Sequence, residues 1–162
     1  MKQAITARLP SELLDSPNVD QMKRELEDVQ EYLDDIDIDL EDSAINFLFL
    51  RGHYSHINRE TTIMGLFINT LPHSALAFRG IVTLQHVEAD EDSAQIEVSF
   101  PNSFIGEFLP DEGILVYLSI PTEGLVSDTT FKTTEIFSSF SDVEYIAIKP
   151  EGDDSDSETT AE

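Results

Sequence analysis

The chain has 162 residues, 40% hydrophobic and 9% aromatic, with 33 acidic against 9 basic side chains and a formal charge of -24. That is apolar content for one self-sufficient core and too little length for a second large domain. The charge excludes unassisted binding to nucleic-acid phosphates or anionic lipid, which needs clustered Lys and Arg. With no cysteine there is no disulfide framework, thiolate nucleophile or cysteine zinc site.

Residues 1–17 carry two early basic charges, break at Pro10 and turn acidic, without the apolar stretch of a secretory signal. A chain not exported by that route, and cytoplasmic, is the expectation. No apolar run reaches the roughly 18 residues that cross a bilayer, so no membrane insertion is expected. Acidity gathers toward the ends: residues 11–43 hold 13 acidic and 2 basic side chains, residues 44–150 hold 14 and 5, and residues 151–162 hold 6 and 0.

The spacing predicts an amphipathic helix over 18–34, with Asn18 or Ser16 as cap, Pro17 at the entry and Asp20 near the positive end of the dipole. Val19, Met22, Leu26, Val29, Leu33 and Ile36 form one narrow apolar seam. Such a seam must be buried. It packs on the chain's own sheet, or it meets a partner groove or a second copy as a homodimer. On the second alternative, Val19, Met22, Leu26, Val29 and Leu33 are the candidate partner-binding residues.

From Ala44 the period changes to two. Both faces of 45–50 are apolar, as in a buried central strand. Further strands are predicted at 61–69, 76–87, 93–100, 113–120, 129–137 and 142–149, divided by turn-forming stretches such as Leu71-Pro72-His73-Ser74 and Pro110-Asp111-Glu112-Gly113. The resulting organisation is an extension (1–17), helix and linker (18–43), β domain (44–150) and an acidic tail (151–162). The tail has no apolar residue larger than Ala161 and is expected to be disordered.

Within the β domain, Phe67, Ile68 and Asn69 end a strand, and Gly106 and Pro110 form a Gly-x-x-x-Pro element two strands later. Over about residues 45–121 this resembles the SLAP domain, the small all-β module of accessory Sec S-layer assembly proteins. The family's Trp after the second element is absent, and one copy is found where many members carry two. The resemblance implies a non-enzymatic factor assisting export or assembly of surface-layer proteins. The fold expectation is therefore mainly β: a single antiparallel β-sandwich of about seven strands, Ig-like or SLAP-like, with one N-terminal helix. Periodicity alone leaves a barrel open, because strand order is invisible to it.

Chemistry-bearing motifs are sparse. The sequence contains no G-x-S-x-G elbow, phosphate-binding glycine loop or H-E-x-x-H. His53, His56, His73 and His86 all fall in or near turns, and an active site, if there were one, would gather them at one end of the β domain. Asp35, Asp37 and Asp39 resemble the start of an EF-hand loop, but Leu40 stands where glycine is needed and Asn46 where the bidentate Glu is needed. No catalytic, cofactor or metal site is assigned, and no enzyme is expected. The favoured expectation is a protein-binding accessory factor whose partner presents an apolar or basic surface, with no direct nucleic-acid contact. The alternative is an acidic mimic of nucleic acid that inhibits a DNA- or RNA-binding enzyme, and the acidity is also compatible with adaptation to high salt.

Overall fold

The computed structural model describes residues 5–35, 40–86, 93–121, 126–132, 135–147 and 159–161. In chain order these form β1 (Thr6–Arg8), a 3-10 turn (Ser11–Asp15), α1 (Val19–Asp35), β2 (Ile45–Ser55), β3 (Glu60–Asn69), β4 (Ala75–His86) and β5 (Ser93–Phe100). There follow a single turn of helix, α2 (Asn102–Ile105), then β6 (Glu112–Pro121), β7 (Thr129–Phe131), β8 (Ile136–Ala147) and β9 (Thr159–Ala161). The protein is mainly β. One sheet runs β1-β6-β3-β2-β7 and the other β5-β4-β8-β9. Neighbours are antiparallel except β1, which lies parallel to β6.

β3 explains the layering. Successive side chains of a strand point to opposite faces, so Ile63, Gly65 and Phe67 share one side and Met64, Leu66 and Ile68 the other. All six are buried. The first face joins the core between the two sheets, where Phe67 is surrounded by aromatic rings from both. Its centroid lies 4.9 Å from Phe47, 5.1 Å from Phe78, 5.4 Å from Phe100 and 4.9 Å from Phe140. These tilted and edge-on arrangements suit the ring quadrupoles. Gly65 makes room for them, because a Cβ there would sit 2.4 Å from the Phe47 ring.

The opposite face of β3 meets α1. Met22, Val29 and Leu33 share a second core with Met64, Leu66, Ile68, Leu50 and Leu115. The protein is thus three layers deep: helix, five-stranded sheet, four-stranded sheet. Polar contacts fix the helix at its margins. Gln30 donates from Nε2 to the Ile5 carbonyl at 2.9 Å, and its Oε1 accepts the Ala7 amide at 2.8 Å, so one amide side chain satisfies the free side of β1. Tyr117 donates its hydroxyl to Glu25, which also pairs with Arg51 at 3.3 Å. Burial, and then the bond to Glu25, push the Tyr117 hydroxyl above the usual tyrosine range.

Several expectations are corrected here. Segment 1–17, read as an extension, supplies a strand to the sheet and apolar residues to the second core. The strand predicted over 129–137 is divided between β7 and β8, and between them the Glu135 amide donates to the Lys132 carbonyl at 2.9 Å while the Glu135 carboxylate accepts the Lys132 amide at 2.8 Å. β7 therefore belongs to one sheet and β8 to the other. The predicted strand at 142–149 is instead the second half of β8, entered through Asp142 at φ 54° beside an irregularity in the pairing with β4. In the tail, Thr159–Ala161 pair with Glu144–Ile146, because the side of β8 away from β4 offers unpaired backbone there. The rest of the tail lies outside the described residues.

Leu33→Ala is expected to lose about 2–5 kcal/mol of stability by urea denaturation, as for other fully buried leucines. Gly65→Ala should cost roughly 1–3 kcal/mol by overpacking against Phe47. A further expectation follows from Tyr117. The unfolded chain releases its phenol proton near 10.0 while the folded chain still holds it, so stability should fall as pH rises from that value toward the folded one. Tyr117→Phe should flatten that part of the pH profile.

Candidate protein-binding surface

The five candidate partner-binding residues all lie against the chain's own first sheet. Met22, Val29 and Leu33 are buried, and Val19 and Leu26 pack half-buried at the margin of the same core. The reading of an open seam for a partner or a homodimer is corrected accordingly: the apolar stripe is already spent in cis, on Leu66, Ile68 and Leu115. What α1 turns outward is mostly acidic: Glu27, Asp28, Glu31, Asp34 and Asp35 are exposed, with Lys23 and Arg24 as its exposed basic residues.

The histidines do not gather. His53 and His56 sit where β2 turns into β3, whereas His73 follows the far end of β3, a strand of ten residues that spans roughly 33 Å. His53 Nδ1 lies 3.4 Å from the Thr130 hydroxyl, and His56 Nδ1 lies 3.1 Å from the Tyr54 hydroxyl. The His56 amide donates to Asp128 at 2.8 Å. These are contacts that tie the hairpin to the β7 region. The His86 side chain, and Asp37 and Asp39 of the EF-hand-like stretch, lie outside the described residues. Among the described residues no three His, Asp or Glu side chains converge as metal ligands.

Asn69 has a structural task. It is fully buried and donates from Nδ2 to the carbonyls of Phe108 (2.9 Å) and His73 (3.3 Å), while its Oδ1 accepts the Leu71 amide at 2.8 Å. Its own carbonyl accepts the Asp111 amide at 2.7 Å. One side chain thus joins the end of β3, the 71–74 turn and the loop before β6, satisfying backbone groups that water does not reach. Gly106 lies in the same loop at φ 73°, and a Cβ there would meet the Ser11 hydroxyl at 2.4 Å.

The surface left open is the outer face of the second sheet. Alternation and register place Arg79, Ile81 and Thr83 of β4, Glu97 and Ser99 of β5, and Phe137, Glu144 and Ile146 of β8 on it. No described helix or strand packs over this face. Phe137 is 65% exposed and Ile146 43%, at opposite ends of β8 on this face. Arg79 donates from Nε to Glu144 at 2.7 Å. On either side of that pair lie two hollows, one of about 330 Å³ lined by Ala77, Phe100, Pro101 and Ile146, the other of about 480 Å³ lined by Ile81, Glu97 and Asp142.

No family model, curated protein or solved structure matches the chain. Among the described residues, no helix is long and apolar enough to cross a membrane.

Asn69→Ala is expected to leave the His73 carbonyl and the Leu71 amide without their Asn69 partner and the Phe108 carbonyl with the Ala75 amide alone, at about 1–3 kcal/mol for each group left unpaired where water cannot reach. Chemical denaturation measures the loss, which should greatly exceed that of Thr70→Ala.

Proposed function

We propose that the protein is a non-catalytic binding module of β-sandwich type that captures another protein on the outer face of its second sheet. The observation that carries this reading is a sheet face that no described helix or strand covers, with two hollows beside the Arg79–Glu144 pair, exposed Ile146 bordering one of them and exposed Phe137 at the other end of β8. Apolar side chains on an open face gain most when a partner removes them from water. Charge favours a basic partner. Arg8, Arg51 and Arg79 are engaged with Glu112, Glu25 and Glu144, which leaves a large surplus of carboxylates for an outside cation to meet. An accessory role in exporting surface-layer proteins is the setting that the SLAP resemblance supplies for such a module.

Photo-crosslinking in the cell of origin tests the reading. A photoreactive residue placed at 137 or 146 should yield discrete protein adducts, and the same residue at Glu31 on the outer side of α1 should yield none. Adducts confined to position 31, lost as salt rises and competed by DNA, would replace this reading with the nucleic-acid mimic. Absence of adducts at 137 and 146 under conditions that crosslink a known control complex would contradict it.

A further inference from the structure

The edge of the second sheet specifies what kind of segment would bind beside this face. β5 hydrogen-bonds only to β4, so along all eight of its residues the other side has no strand partner among the described residues. The remaining terminal strands, β1, β7 and β9, are three residues long, too short to template much pairing. Parts of β2, β6 and β8 also run beyond these short neighbours, but among the described residues β5 alone is open along its whole length.

The side chains of β5 alternate cleanly. Ile96, Val98 and Phe100 turn inward, but only Val98 is buried; Ile96 and Phe100 are half-exposed at the rim of the inter-sheet core. Phe104 stacks on Phe100 at 5.6 Å and extends that apolar rim. On the outward side lie Gln95, Glu97 and Ser99, all exposed. Glu97 has no ion-pair or hydrogen-bond partner among the described residues, and it borders the larger hollow. The strand therefore ends a core that is incomplete on its inner side and presents an unneutralised carboxylate on its outer side.

We propose that β5 accepts an added strand from a partner protein, an extended segment in which apolar residues alternate with Lys or Arg. The backbone of the segment would continue the sheet. Its apolar residues would cover Ile96 and Phe100, and its basic residues would lie across from Glu97 on the outer face. Charge selects against the other obvious occupant: a second copy, paired β5 to β5, would bring two Glu97 carboxylates and two chains of charge -24 together. This proposal rests on the reading of the protein as a binding module and names the chemistry of its partner.

The test titrates the full chain with an end-blocked octapeptide of alternating valine and lysine, followed by amide NMR shifts and hydrogen exchange. The expected result is saturable shifts and slowed exchange at β5, no effect from the peptide with glutamate in place of lysine, and little effect from the same residues in block order. Glu97→Lys, a surface change that should keep the native thermal transition, is expected to weaken binding roughly tenfold, since it converts a cross-strand attraction into a repulsion. Shifts confined to α1, equal binding of alternating and block peptides, or wild-type affinity in Glu97→Lys would each overturn the proposal. So would a peptide-free dimer whose exchange protection maps to β5, which would assign the edge to a second copy. Loss of this peptide binding with adducts intact at positions 137 and 146 would defeat the edge alone and leave the wider reading standing.

Discussion

Burial of β3 on both faces is the constraint on which the rest of the structure depends. A strand with Leu66, Phe67 and Ile68 all fully enclosed must sit in a middle layer, so one side needs a second sheet and the other needs a helix. That requirement gives both the α1 seam and the inner faces of β4, β5 and β8 their occupants. It also creates a difficulty. A one-residue slip normally moves apolar side chains to the polar face and is penalised, but on β3 both faces are apolar. Register must then come from shape and from specific hydrogen bonds. Gly65 under the Phe47 ring supplies the first, since no other β3 residue in that core leaves such space. The enclosed amide of Asn69 supplies the second, because it finds its three backbone partners only when the strand ends at that point.

Charge follows from this layering. Three apolar layers leave acidic residues only the outer surfaces, and the outer side of α1 and the loops take most of those described. Among the described residues, three of the chain's nine basic side chains are held in ion pairs with its own carboxylates: Arg8, for one, meets Glu112 at 3.0 Å and also donates to the carbonyls of Leu9 and Glu107. The Arg51 and Arg79 pairs, whose guanidinium groups are exposed, add little to stability. With 33 acidic against 9 basic side chains, the surplus carboxylates repel one another. On the proposed reading, a basic partner would dock on the apolar side chains of the second sheet and the β5 edge beside them.

Much of the fold was legible because periodicity reports which sides of an element are apolar. The helix was predicted one residue from its observed ends, and the strands at 61–69, 93–100 and 113–120 within about one. Apolarity on both sides of 45–50 pointed to a central strand; β2 does lie between β3 and β7, but it pairs with β7 only over Gly52–Tyr54. What covers an apolar side is a different question, and it was not legible: the stripe of Val19, Met22, Leu26, Val29 and Leu33 reads alike whether it packs on Leu66 or on another protein. The break at 132–135 was hidden because a chain that crosses from one sheet to the other keeps its period of two. The parallel strand at 6–8 has only three residues, too few for any pattern. Nor could sequence order reveal that His53 and His73 stand at opposite ends of one strand, or that β5 lies at an edge. Phe137 gave the available signal for the open face, as a large apolar residue at an alternate position among serines.

The central claim is that α1 belongs to the core and the molecule's interaction surface lies elsewhere. Native-state hydrogen exchange of the free protein in a urea series tests it most directly. If α1 is core, the amides of its second half, around Val29 and Leu33, will exchange only through the same global unfolding that exposes β3, with equal free energy and equal urea dependence. If α1 exchanges through a detachment of much lower free energy while β3 stays protected, the helix is a separable element and its seam is available to a partner after all.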